Sequence, residues 1–244
     1  MAAAWCLTLG IPAAAADRGS FGPFERSLSD TPYGYSIVDD PTGKAPAARV
    51  ERFEVRPGDC GANAGWDDCA ADRERSELSE RGDRNPAGTA WWYGWSLYVP
   101  VDFPNVFPTK VALGQFHQEN SHVVWMFQNG RGGYHLDDQV EGYTRRYYEL
   151  IPDAELRGRW HRIEVQARWS RGKDGFFRVW VDGSRKVDYS GRTMTAGRVY
   201  FKYGLYRSFV SRFKKATGAG QVPAQTVYFA NVRKAESRDG LLPR

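Results

Sequence analysis

Apolar and polar side chains alternate with a period of two in eleven stretches of this chain: 49–56, 73–79, 91–99, 110–118, 122–128, 144–150, 160–169, 175–181, 185–189, 197–207 and 225–234. A strand sends successive side chains to opposite faces, so each stretch predicts a half-buried β-strand. No stretch with a helical period runs longer than about three turns. The chain is therefore expected to be all-β, a sandwich of two antiparallel sheets. Residues 17–47 carry the turns Asp30-Thr31-Pro32 and Pro41-Thr42-Gly43 between short apolar runs, which predicts one or two edge strands and loop. With 244 residues the chain can bury one good core, and 17–244 is expected to form a single domain. Its 9 Trp and 13 Tyr are mostly strand and core filler, although aromatic faces also stack on sugar rings.

The formal net charge of +5 favours an anionic partner: nucleic acid, an acidic glycan or a membrane surface. The positive residues are scattered along strands and accompany no zinc-ligand or RNA-binding signature, which places nucleic acid last. Outside the motifs below, Arg and Lys read as a solvated surface. Residues 1–16 are uncharged, apolar and end in small residues, like the back half of a secretory signal peptide, and are too short a run to anchor a membrane. Export, secreted or periplasmic, with a mature start near Asp17, is the expectation. Cys6 would then be removed, leaving Cys60 and Cys69 in an oxidising compartment, where they are expected to pair. Closing so short a loop adds modest stability; its use is to pin residues 61–68 in place.

Three segments carry chemistry. Arg75-Ser76-Glu77-Leu78, Gln115-Phe116-His117 and Tyr200-Phe201-Lys202-Tyr203-Gly204-Leu205-Tyr206 all lie in predicted strands. Strand parity puts Arg75 with Glu77, Gln115 with His117, and Tyr200 with Lys202, Gly204 and Tyr206 on shared faces. Taken singly, each has a plainer reading: a cross-strand ion pair, exposed strand residues, and ordinary β composition with Gly204 at a bulge or close approach. Together they can bring a cation, an amide, an imidazole and a phenol to one groove.

This set, in this order, resembles the alginate-lyase type of polysaccharide lyase, whose signatures run R-(T/S)-E-L, Q-(I/V)-H and Y-F-K-x-G-x-Y. The flanking Arg52-Phe53-Glu54-Val55-Arg56-Pro57-Gly58-Asp59 and Trp92-Tyr93-Gly94-Trp95-Ser96-Leu97-Tyr98-Val99-Pro100 are closer to the glucuronan lyase and heparin lyase I branch. The resemblance covers roughly residues 48–233. It implies a concanavalin-like jelly roll, consistent with the hairpin 160–183, which opens on Trp160-His161 and closes on Val179-Trp180-Val181-Asp182-Gly183. His161 there reads as structural.

The implied reaction is β-elimination of a uronic-acid polymer. The C5 proton next to the carboxylate must leave, and the sugar oxygen on C4 must be released. The carboxylate charge opposes this, so it has to be hydrogen-bonded while a base stands by C5 and an acid by O4. Gln115 and Arg75 suit the carboxylate, His117 is the base or a third donor, and Tyr206 is the acid. In β-linked glucuronate or mannuronate the C5 hydrogen and O4 share one side of the ring, and Tyr206 alone can take and return the proton. In guluronate or iduronate they are opposed, which calls on His117 as base. Lys202 contacts substrate or acts on the phenol electrostatically; Tyr200 shares its face, and Glu77 holds Arg75. Arg52, Glu54 and Arg56 share a strand face and either line the groove or form charge pairs.

Tyr203, Arg207-Ser208 and Ser79 depart from the alginate pattern and move the expected substrate toward glucuronan or a related acidic heteropolysaccharide. The partner is then an anionic polysaccharide, attacked in endo fashion by a monomer. No cofactor is required; a structural calcium on Asp59, Asp67, Asp68 and Asp72 is a further implication of the resemblance. Two competitors remain. A retaining glycoside hydrolase needs paired carboxylates on one strand, whereas the nearest acidic cluster, Asp137-Asp138-Gln139-Val140-Glu141, reads as a loop. A noncatalytic glycan-binding module would keep the fold without the chemistry. Residues 214–221 read as a loop that arches over the groove or merely connects strands.

Overall fold

The computed structural model describes residues 18–82 and 84–242, so the leader expected at 1–16 lies outside the described residues. In chain order the strands are β1 (Phe24–Arg26), β2 (Tyr35–Asp39), β3 (Arg49–Val55), β4 (Ala62–Asn63), β5 (Trp66–Asp67), β6 (Arg73–Glu80), β7 (Asn85–Pro86), β8 (Ala90–Tyr98), β9 (Lys110–Gln118), β10 (Val123–Asn129), β11 (Tyr134–Asp138) and β12 (Arg146–Ile151). After a one-turn helix α1 (Asp153–Leu156) come β13 (Trp160–Arg168), β14 (Phe176–Val181), β15 (Ser184–Ser190), β16 (Arg198–Ser208), helix α2 (Val210–Thr217) and β17 (Gln225–Ala235). Among the described residues no helix is long and apolar enough to cross a membrane.

Two antiparallel sheets carry the fold. One runs β1-β6-β16-β9-β10-β11-β12, with β7 paired to β16 off this path; the other runs β15-β14-β13-β8-β17-β3-β2. Inward-facing aromatics fill the space between them, including Phe53, Tyr93, Trp95, Phe116, Trp125, Phe127, Trp169, Phe177 and Phe201, all 2% exposed or less. Trp125 of one sheet stacks on Phe177 of the other at 4.2 Å between centroids. Each such ring removes about 150–250 Å² from water, which is what drives two half-buried sheets together. His161, 1% exposed, bonds Asp182 at 2.9 Å and the Glu155 carbonyl at 3.0 Å, as a structural residue should.

Two expectations need correction. Asp137 and Asp138 belong to strand β11, not a loop, since Tyr134 and Leu136 send their side chains into the core. Residues 214–217 belong to α2 rather than a loop. That helix starts at Phe209 with no local side-chain cap; Asp72, far away in sequence, instead accepts bonds from the Ser211 amide at 2.9 Å and hydroxyl at 2.6 Å.

Candidate active site

The three motifs meet on the outer face of the eight-stranded sheet. β6 and β9 flank β16, so their outward side chains form ladders across the strands. One rung is Tyr200, His117 and Val123. The next is Ser79, Lys202, Gln115, Met126, Asp137 and Tyr147. A third is Arg75, Tyr206, Ala112, Gln128, His135 and Glu149. The first rung, the second as far as Met126 and the Arg75–Tyr206 part of the third floor a groove of about 1040 Å³, lined by Arg75, Gln115, His117, Tyr200, Lys202 and Tyr206 among others. Between the second and third rungs β16 gains a residue relative to β9: Tyr203 pairs with Gly114 but Tyr206 with Ala112. Gly204 sits at this bulge with φ +127°, and an added Cβ would come within 2.5 Å of the Ser76 carbonyl oxygen. The bulge sets where Tyr206 enters the groove.

Beneath the floor lies a buried ionic network. Glu77, 2% exposed, accepts hydrogen bonds from the Gln115 amide at 2.5 Å and the Lys202 ammonium at 2.6 Å, with Arg75 Nη1 at 3.4 Å. It does not line the groove, and it orients Lys202 and Gln115 more closely than it holds Arg75. Arg75 instead gives its Nε and Nη2 edge to Asp68, 0% exposed, and its guanidinium carbon lies 4.3 Å from the centre of the Tyr206 ring. Its Nε and Nη2 edge is thus already filled by a protein carboxylate, so that edge is not open to the substrate carboxylate that Arg75 was expected to suit. Two cations and two carboxylates balance here, so a substrate carboxylate would be met by aimed donors, the second N–H of Gln115 and the remaining N–H groups of Lys202. Burial pushes the Lys202 ammonium below the ordinary lysine range, with Glu77 opposing that shift.

His117 is held as a neutral imidazole. Burial, reinforced by the Lys202 charge, pulls its pKa from 6.5 to about 4. Nδ1 is 2.8 Å from the Gln118 carbonyl oxygen, an acceptor only, so Nδ1 carries the proton and Nε2 keeps its lone pair. The Tyr200 hydroxyl lies 3.2 Å from the same Nδ1, and burial raises the Tyr200 pKa.

Several expected site residues lie elsewhere. Arg52 and Arg56 are on or next to β3, in the other sheet, where both pair with Glu54 and Arg56 stacks on Tyr33 at 3.7 Å; they do not line the groove. Tyr203 faces the core, 0% exposed, and its hydroxyl donates to Glu51 at 3.0 Å. Arg207 is equally buried and pairs with Glu74. Of the departures from the alginate pattern, only Ser79 and Ser208 face the groove.

The four aspartates suggested for calcium do not fit a cation. Asp59 accepts from the Arg56 amide and the Tyr33 hydroxyl, Asp67 from the Ala70 amide, Asp68 from Arg75 and Asp72 from Ser211. Among the described residues no three His, Cys, Asp or Glu converge as metal ligands. Paired carboxylates for hydrolysis are equally missing at Asp137 and Asp138, whose side chains leave β11 on opposite faces.

The expected disulfide between Cys60 and Cys69 is formed. It closes the β4–β5 hairpin, whose Ala62, Asn63 and Trp66 stand at the groove's edge. Sequence reasoning missed Asp68 as the partner of Arg75, and missed Asp137, which continues the second rung beyond the groove lining and, 0% exposed, accepts from Gln128, Gln139 and Thr144 at 2.7–3.1 Å. A short Tyr-x-Leu alternation was the one local signal for the latter.

A family model described as polysaccharide lyase matches residues 16–233. The chain belongs to the polysaccharide lyase family. Solved structures agree on the fold. An endo-beta-1,4-glucuronan lyase from the fungus Trichoderma reesei superimposes with a TM-score of 0.62 at 16% identity, covering 91% of this chain and 94% of that one. The family 7 alginate lyase A1-II' gives 0.60 at 15% identity, covering 91% and 100%. Alginate lyase PA1167 from Pseudomonas aeruginosa gives 0.53 at 18% identity, covering 85% and 87%. No curated protein gives a significant sequence match. The polysaccharide lyase is thus an enzyme with a jelly-roll fold.

Proposed function

We propose that this polysaccharide lyase is exported and cleaves a glucuronan-like polymer by endo β-elimination, leaving 4,5-unsaturated uronate ends. The observation that carries the reading is the order of the rungs: neutral His117 on one side, Tyr206 on the other, and the Gln115 and Lys202 donors between them. That order fits the substrate's own sequence of groups. The carboxylate on C5 meets Gln115 and Lys202, and the enolate-like charge that forms as the C5 proton leaves is stabilised by the same donors. In β-linked glucuronate the C5 hydrogen and O4 share one side, where the Tyr206 hydroxyl gives its own proton to the departing O4 as its oxygen takes the one leaving C5. Neutral His117 is available as an acceptor and, for an opposed C5 hydrogen, as the base.

The preference for glucuronan rests on the resemblance of residues 52–59 and 92–100 to that branch, and on Ser79 and Ser208 in the groove. The groove lies open along the sheet face, which supports endo action. Ultraviolet absorbance of the unsaturated product, followed with glucuronan, polymannuronate, polyguluronate, heparin and heparan sulfate in parallel, tests the proposal. Glucuronan should give the fastest rise. A faster rise with another polymer overturns the substrate, and binding without any rise returns the noncatalytic reading.

A further inference from the structure

At the β6 end of the groove stands a tryptophan that the reaction does not use. Trp66 is 48% exposed, yet its ring is fixed. Its Nε1 donates to Asp68 Oδ1 at 2.8 Å, and its backbone amide and that of Gly65 both donate to Asn63 Oδ1 at 2.9 Å. The hairpin carrying it is closed by the Cys60–Cys69 disulfide. An exposed indole oriented this firmly is prepared for a contact, because little freedom is left to lose when a partner arrives. A pyranose presents polarised C–H bonds that suit the electron-rich ring face.

Arg73 lines the same groove, and its backbone amide donates to the carbonyl of Asp68, the residue that holds the Trp66 indole, at 2.8 Å. The Arg73 guanidinium lies 4.0 Å from the centre of the Phe209 ring and donates to the Asp72 carbonyl at 3.0 Å. Among the described residues it has no carboxylate partner, in contrast to Arg75 and Lys202. A fixed aromatic face and a guanidinium without a carboxylate partner, both lining one groove of a polysaccharide lyase and joined through Asp68, match an acidic sugar.

We propose that Trp66 and Arg73 form a subsite for one hexuronate unit of the bound chain, the ring stacked on Trp66 and its carboxylate facing Arg73. This rests on the lyase reading above. Asp68 would then link the subsite to catalysis, since it holds both the Trp66 indole and Arg75.

The test is equilibrium titration of the Tyr206→Phe protein, in which the oligomers should stay intact, with β-1,4-linked oligoglucuronates of increasing length. Trp66→Ala in that background should weaken binding of the longer oligomers by about three- to tenfold and leave the shortest unchanged. Trp66→Phe should restore most of the loss, and Arg73→Gln should produce a loss at the same chain length. The unfolding midpoint of each variant guards against a folding defect. Equal affinity at every length with and without Trp66, while the parent enzyme cleaves the polymer, would overturn the subsite and leave the lyase reading standing. Trp66-dependent binding without cleavage by the parent would sustain the subsite and refute the lyase reading. No binding of any oligomer would refute both.

Discussion

Glu77 is the residue on which the site's construction depends, although it never touches the groove. Replacing it by Gln keeps the shape and removes the charge. The Lys202 ammonium, 6% exposed, would lose its carboxylate at 2.6 Å, and an amide, with one acceptor oxygen in place of two, cannot satisfy both Lys202 and Gln115. Removing one member of a buried ion pair typically costs about 3–5 kcal/mol, because the remaining charge stays buried without compensation. For a domain of this size that is a fall of roughly 6–20 °C in Tm. Denaturant unfolding of Glu77→Gln measures the cost directly. The double variant Glu77→Gln/Lys202→Met should recover a large part of it, since the stranded charge is then gone. A loss below about 1 kcal/mol for the single variant, or no recovery in the double, would refute the picture of Glu77 as the buried counter-charge.

The His117 pKa of about 4, against 6.5 unperturbed, means that between these values the unfolded chain binds a proton the folded chain refuses. Stability should therefore fall as pH drops from about 6.5 to about 4, and His117→Gln should flatten that slope in pH-dependent unfolding. Gly204→Ala combines a φ of +127° with a backbone clash at 2.5 Å, and should destabilise the fold and misplace Tyr206, lowering both Tm and kcat. Tyr203→Phe removes a hydroxyl that donates to buried Glu51 and accepts from Arg18, and should cost about 1.5–3 kcal/mol in unfolding while leaving turnover intact, because the hydroxyl faces the core.

Strand parity placed the groove face in advance. Arg75, Gln115, His117, Tyr200, Lys202 and Tyr206 needed only their spacing within three segments to be assigned together, because alternation is local. Partners supplied from far along the chain were not legible. Asp68 in the disulfide loop and Arg75 in β6 meet only once the β4–β5 hairpin folds back, and nothing near Arg75 in sequence announces that its fork is occupied. Helix α2 was hidden for the same reason, its cap coming from Asp72, and β11 because two adjacent aspartates resembled a turn. Parity also misled where the sheet was unknown: Arg52 and Arg56 do share a face, but β3 belongs to the sheet that turns away from the groove.

In the proposed reaction Tyr206 moves the proton in an elimination whose donors, Gln115 and Lys202, are already in place. Initial rates of unsaturated-product formation from glucuronan by the parent and by Tyr206→Phe, with binding measured on the same samples, test it most directly. Turnover should vanish in the variant while affinity and fold persist; near-parental turnover without the hydroxyl would rule Tyr206 out as the group that moves the proton.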